Sequence, residues 1–256
     1  MRPNSVKEII ARRGRVLNAW CSIPDAYVAE AIAHQGFDSV TIDLQHGAID
    51  YASAFHMLQA ISTSPACPLA RVPWNEPGIL MKLLDAGAYG IICPMVNSRT
   101  EAEAFVGACR YAPSGYRSYG PNRVVHYAGN DYVQHANREI LLLAQIETIE
   151  AVENLDAILS VPGLDGVYVG PGDLSLSMGA PASMAPSDPR VLAAMKTVRD
   201  KTAAKGLIAG IHTDGPATAL KRFGEGFDLC SMQTDMRMLI DATRAAVAAV
   251  RGEAKT

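Results

Sequence analysis

Short apolar runs rich in Leu, Ile, Val and Tyr alternate along this chain with longer stretches whose apolar positions recur at helical spacing. The runs fall near residues 15–22, 38–45, 67–73, 89–95, 140–147, 166–171, 207–212 and 227–233, and they predict eight strands. Start and stop signals separate them from the helical stretches: Pro24-Asp25 opens one helix and Gly36 ends it, and Ser187-Asp188-Pro189 opens another that Gly206 closes. Strand–helix alternation without a linker or a change of composition implies parallel βα units. Eight such units in 256 residues predict one α/β domain over residues 1–256, a closed (β/α)8 TIM barrel. An open doubly wound sheet would alternate in the same way, but it normally carries a glycine-rich phosphate turn after its first strand. Here Cys21-Ser22-Ile23-Pro24-Asp25 follows, so the barrel is preferred.

Composition narrows the classes of function. With 49% hydrophobic residues and a formal net charge of −3, the chain can bury a large core and has no basic excess for nucleic acid. The N-terminal residues lack the apolar stretch of a signal peptide, and no later segment is apolar for long enough to span a bilayer. A cytoplasmic protein without a membrane partner is expected. The five cysteines show no metal-ligand spacing and read as reduced, mostly buried thiols, with Cys67, before Pro68, the one expected to be exposed.

The candidate chemistry lies where apolar runs end. Glu147 and Asp173 each close a strand-like run, and carboxylates at the C-terminal ends of neighbouring parallel strands form a hard-cation site. Two other runs end in His46 and Arg71. An ion held by two carboxylates keeps positions open for a 2-oxo acid and acts as a Lewis acid on the enolate formed when a proton leaves. Arg71 would add positive charge at the same oxygen, and His46 would carry the proton. Schiff-base chemistry is disfavoured, because Lys82, Lys196, Lys201, Lys205 and Lys221 fall in helical stretches and Lys7 and Lys255 near the termini. Each residue also has a plainer reading. The carboxylates could be helix caps or members of ion pairs, Arg71 could neutralise Asp43 or Asp85, and His46 could be a core histidine. His212, ending the seventh run, could reach the far end of a substrate. Two connections are long, Pro113 to Arg138 and Leu174 to Pro186. In the first, Gly115-Tyr116-Arg117-Ser118-Tyr119-Gly120 suits either a hinged wall over an anion or a subunit contact.

Taken in order, Asp43-Leu44-Gln45-His46-Gly47, Arg71-Val72-Pro73-Trp74, Leu84-Asp85-Ala86-Gly87-Ala88, Gln145-Ile146-Glu147-Thr148 and Gly170-Pro171-Gly172-Asp173-Leu174 resemble the HpcH/HpaI aldolase family over nearly the whole chain. The resemblance implies a modified TIM barrel and a class II aldolase that depends on a divalent ion (Mg²⁺, Mn²⁺ or Co²⁺) and on no organic cofactor. Such an enzyme cleaves a 4-hydroxy-2-oxo acid reversibly to pyruvate, or a related 2-oxo acid, and an aldehyde. By that likeness Glu147 and Asp173 ligate the metal, and Arg71 and Gln145 contact the pyruvate moiety. Main-chain groups around Gly170, Pro171, Gly172, Asp173 and Leu174 hold its carboxylate, and His46, oriented by Asp85, handles the proton. It also implies a homo-oligomer, a hexamer built as a trimer of dimers, whose C-terminal helix, roughly Met238 to Arg251, is exchanged between subunits. Gln45, the 115–120 loop and the polar His212-Thr213-Asp214 depart from the family pattern, and they shift the expected acceptor towards a short, hydroxylated or acidic aldehyde. Two other readings use the same residues: an oxaloacetate decarboxylase or related lyase, and a silent barrel that binds a 2-oxo acid.

Overall fold

The computed structural model describes residues 1–252, so the last four residues of the expected domain, Lys255 among them, lie outside the described residues. Eight parallel strands, β1 (Val16–Cys21), β2 (Ser39–Asp43), β3 (Cys67–Arg71), β4 (Gly90–Cys93), β5 (Leu141–Ile146), β6 (Gly166–Val169), β7 (Ile208–His212) and β8 (Leu229–Thr234), pair in sequence order, and β8 closes on β1. Strands covered by helices outside and packed with side chains inside are buried on both faces, which is why β4, β5 and β6 are buried throughout and read as unbroken apolar runs.

Local chemistry sets the strand ends and shifts two expectations. The β2 strand stops at Asp43, because its carboxylate accepts hydrogen bonds from the N–H groups of Gln45 (3.1 Å) and His46 (3.3 Å) and turns the chain. His46 therefore sits in the turn beyond the strand, exposed, and is not a core histidine. The β6 strand stops at Val169, since Pro171 has no N–H for the ladder and instead opens the helix Pro171–Ser177. Asp173 stands in the first turn of that helix, and the expected 174–186 loop is helical at its start, over 174–177.

The connection 113–138 is likewise more ordered than its composition predicts, with helices at Val124–Ala128 and Tyr132–Glu139. Arg117, expected as part of an anion wall or a subunit contact, is buried. It donates to Asp85 Oδ1 (2.7 Å) and Tyr132 Oη (2.8 Å), with its guanidinium 4.4 Å from the centre of the Tyr111 ring. It ties the loop to the helix Pro77–Ala86 and does not face the cavity described below.

At the end of the barrel where the strands begin, Asn4 donates to the carbonyls of Tyr89 (2.9 Å) and Glu139 (2.8 Å), fixing the helix Ser5–Ala11 beneath β4 and β5. Beside it Asp165 pairs with both Lys7 (2.6 Å) and Arg110 (2.8 Å). All five cysteines are buried, Cys67 included, against expectation, and burial pushes its thiol up to about 12. The last helix, Asp235–Arg251, leaves Leu239, Ile240, Val247 and Val250 exposed. Among the described residues no helix is long and apolar enough to cross a membrane.

Candidate active site

A cavity of about 360 Å³ opens at the C-terminal ends of the strands, the face where barrels of this type place their chemistry. Trp20 from β1, Asp43 from β2, Arg71 from β3, Gln145 from β5, Tyr168 from β6 and His212 from β7 form its floor and walls. His46, Gly170, Gly172, Asp173, Met184, Thr234 and Met236 lie around them.

Arg71, the last residue of β3, is held rather than free. Its Nε and Nη2 donate to the two oxygens of Asp43 (2.8 and 2.5 Å), and the Trp20 ring lies 4.8 Å below the guanidinium. Trp20 Nε1 donates to the same carboxylate at 3.1 Å. Burial disfavours the ionised form of Asp43, but Arg71's hydrogen bonds and charge, with Trp20 and the Gln45 N–H, outweigh it and hold the carboxyl below its ordinary value. One acidic side chain thus orients the arginine and shapes the turn that carries His46. The plainer sequence reading of Arg71 as a partner of Asp43 holds, and its Nη1 is left for a ligand.

Glu147 follows β5 directly and is buried. Its Oε1 accepts from the Met95 N–H at 2.8 Å, and its Oε2 accepts from Gln145 Nε2. Burial is the main cause that raises its pKa, and the nearby Asp173 charge acts in the same direction. Neither Glu147 nor Asp173 forms an ion pair with a cationic side chain among the described residues, and Gln145 Oε1 is buried without a partner. A buried carboxylate with an exposed one near it, beside an unsatisfied amide oxygen, fits a hard cation. Among the described residues no three His, Cys, Asp or Glu side chains converge, so such an ion would keep most of its positions for water or substrate.

The backbone makes room for the buried carboxylate. A Cβ on Gly170 would lie 2.6 Å from Glu147 Oε2 and 2.9 Å from Gln145 Nε2, so any larger residue there would displace the carboxylate. Gly172 and Asp173 lie in the first helical turn, whose N–H groups have no intrahelical acceptor. Leu174 differs from them: its side chain is in the core, and its N–H donates to Gly170 O at 3.1 Å. Pro171 is buried and has no N–H to offer.

Of the expected residues, Glu147, Pro171 and Leu174 are buried and do not line the cavity, and Asp85 is carried away from it. It occupies the last turn of the helix Pro77–Ala86, which runs back from the rim after β3, and its carboxylate pairs with Arg117. Within one chain it makes no hydrogen bond to His46 among the described residues. The residues that sequence reasoning passed over are Trp20, Tyr168, Met184 and Met236, together with Asp43 in its orienting role. Of these only Asp43, an acid inside an apolar run, carried a local signal.

With this geometry in view, the comparisons with known proteins agree with one another. The family model described as HpcH/HpaI aldolase/citrate lyase matches residues 17–242. The chain is similar to a hydroxypyruvate/pyruvate aldolase of Rhizorhabdus wittichii, with 42% identity covering 92% of this chain and 94% of that protein. It is also similar to a 4-hydroxy-2-oxo-heptane-1,7-dioate aldolase of Salmonella arizonae, with 34% identity covering 98% and 96%. Among solved structures, an HpcH/HpaI aldolase/citrate lyase family protein from Burkholderia cenocepacia J2315 superposes with a TM-score of 0.90 at 31% identity, covering 97% of this chain and 99% of that one. The chain belongs to the HpcH/HpaI aldolase/citrate lyase family.

Proposed function

We propose that this protein is a divalent-metal-dependent class II aldolase that cleaves a 4-hydroxy-2-oxo acid reversibly to pyruvate, or a related 2-oxo acid, and an aldehyde. The observation that carries the reading is the closeness of Glu147, buried against Gly170 and Gln145, to Asp173 in the cavity wall that also holds Arg71, two acids with no cationic ion-pair partner among the described residues. The aldolase names of the relatives support the reaction class.

Glu147 and Asp173 would hold the ion, with Gln145 Oε1 next to them. Bound there, a divalent cation supplies Lewis-acid polarisation of a 2-oxo acid. Arg71, fixed by Asp43, directs its unused Nη1 at the keto or carboxylate oxygen as negative charge grows. The open N–H groups of Gly172 and Asp173 suit the substrate carboxylate, whereas Pro171 and Leu174 contribute shape. His46, exposed at the cavity lip, takes the proton of the C4 hydroxyl as the C3–C4 bond breaks. The aldehyde leaves, and the same imidazole returns a proton to C3 of the donor fragment. The Asp85–Arg117 pairing leaves any Asp85 contact with His46 to a second copy of the chain. The exposed apolar residues of the helix Asp235–Arg251 support a homo-oligomer in which that helix packs on a neighbour, as in the expected trimer of dimers.

Two treatments test the reading. Chelation is expected to abolish cleavage of a 4-hydroxy-2-oxo acid, and Mg²⁺ or Mn²⁺ to restore it. His46→Ala is expected to lower turnover by about 10²–10⁴-fold while metal affinity, followed by calorimetry, stays the same. Full turnover in the stripped enzyme would refute the metal role, and undiminished turnover in the variant would remove His46 from the mechanism.

A further inference from the structure

The part of the cavity built by β1, β6 and β7 holds polar groups that the aldol chemistry leaves unused. His212 ends β7 with its ring edge-on to Trp20, centroids 4.8 Å apart, and its Nδ1 lies 3.2 Å from Tyr168 Oη. Tyr168 Oη donates to Ser231 Oγ (2.6 Å), which also receives Asn18 Nδ2 (2.8 Å), and Asn18 Oδ1 accepts from Ser39 (2.7 Å) and Thr41 (3.1 Å). A chain of hydrogen bonds through the barrel interior therefore fixes the ring. Thr213 locks the backbone just beyond it, through its N–H and Oγ1 to Ser231 O (2.9 and 2.8 Å).

One atom of this arrangement is left over. His212 Nε2 has no protein partner among the described residues, although His212 lines the cavity. Two other hydroxyls of the lining have protein partners: Ser22 Oγ donates to Asp235 (2.7 Å), and Thr234 Oγ1 accepts from the Arg237 N–H (3.2 Å). Trp20 packs edge-on to the imidazole, and Met184 and Met236 are further apolar parts of the cavity lining. Burial, with the Arg71 charge, lowers the His212 pKa to about 4, so the ring is neutral at working pH. A neutral ring nitrogen offers no countercharge to a carboxylate. It pairs well with a hydroxyl, which can donate or accept and so matches either tautomer.

We propose that His212 is a specificity-determining residue whose Nε2 hydrogen-bonds a hydroxyl on the oxo compound being joined or cleaved, so that the enzyme prefers hydroxylated reactants to their deoxy counterparts. The proposal rests on the aldolase reading and deepens it. It also selects the hydroxylated over the acidic acceptor among those the sequence left open. The hydroxyl can belong to the aldehyde or to the 2-oxo acid donor, since either fragment brings a carbon chain into the same cavity.

The test compares near-isosteric pairs in aldol addition with Mg²⁺ present. Glycolaldehyde is set against propanal with pyruvate as donor, and hydroxypyruvate against 2-oxobutanoate with propanal as acceptor, for the wild type, His212→Phe and His212→Gln. His212→Phe keeps an aromatic ring against Trp20 and removes the nitrogen. It is expected to lower kcat/KM for the hydroxylated member of one pair by about 10–100-fold and to leave the deoxy member nearly unchanged. His212→Gln is expected to retain part of the preference, which separates a lost hydrogen bond from lost packing. A drop in the first pair assigns the hydroxyl to the aldehyde, and a drop in the second assigns it to the donor. An active wild type whose preference is the same in both variants overturns the role of His212 alone. A wild type inert with every combination overturns the aldolase reading, and this inference with it.

Discussion

Both ends of the barrel bury charge, and they do so in opposite ways. Where the strands begin, Lys7 and Arg110 meet Asp165, and Lys7 also lies near Glu139, which pairs with Arg138, so that every charge of the group has an opposite one beside it. Arg110 also donates to the carbonyls of Ile140 (2.8 Å) and Gly163 (2.6 Å), and Asp165 accepts from the Leu142 N–H (2.8 Å). Where the strands end, Arg71 makes its ion pair with Asp43, and Glu147 and Asp173 have no ion-pair partner among the described residues, the Arg71 charge only partly offsetting the burial of Glu147. A charge cluster that balances itself holds elements in place. One that does not balance is left to be completed by something that arrives later, which on the proposed reading would be a cation and an anionic substrate.

Substituting one carboxylate at each end sharpens the contrast. Glu147→Gln keeps an acceptor for the Met95 N–H but removes the charge. Turnover is expected to fall by about 10³-fold or more, while the urea midpoint without added metal stays level or rises, because a crowded and desolvated anion has gone. A loss of stability in that variant would place Glu147 among the structural charges and erase the distinction between the two ends. Asp165→Asn should show the reverse. It leaves Lys7 and Arg110 without their shared anion, at an expected cost of about 3 kcal/mol in chemical denaturation, with turnover per folded molecule retained. A variant as stable as the wild type would mean that the base cluster carries no net stabilisation.

The two ends also differed in how well they could be read from sequence. The barrel itself was legible because strands buried on both faces leave a plain apolar trace, as in Leu141-Leu142-Leu143-Ala144. Glu147 and Arg71 stood out as candidates because each ends such a trace, whereas Gln145 was named only through the family likeness. His46 and Asp173 were recognised as site residues but assigned to strands, since the Asp43 turn and the Pro171 helix start act within three or four residues, finer than an apolar run resolves. Asp85 belonged to a recognised motif, yet only the direction of its helix shows that it points away from His46. The Trp20–Asp43–Arg71 group and the Tyr168–His212–Ser231 chain were not legible. They join β1, β2, β3, β6, β7 and β8, and those contacts exist only once the barrel has closed.

The smallest expected effect concerns His212, whose ring the rim keeps uncharged. In the folded protein His212 has a pKa of about 4, against an ordinary value of 6.5, because burial and the Arg71 charge penalise its protonated form. Between those two values the unfolded chain binds a proton that the native state refuses, so this contribution to stability is complete above about pH 6.5 and is lost as pH falls towards about 4. From about pH 7.5 down to about pH 5 the loss amounts to about 2 kcal/mol. His212→Phe cannot take up a proton, and its urea stability should fall less steeply over that window than that of the wild type, while the paired charges at the base contribute equally to both curves. Parallel curves would mean that the imidazole titrates as freely in the cavity as in water, and the rim would then hold a charge in the place where its chemistry calls for a neutral ring.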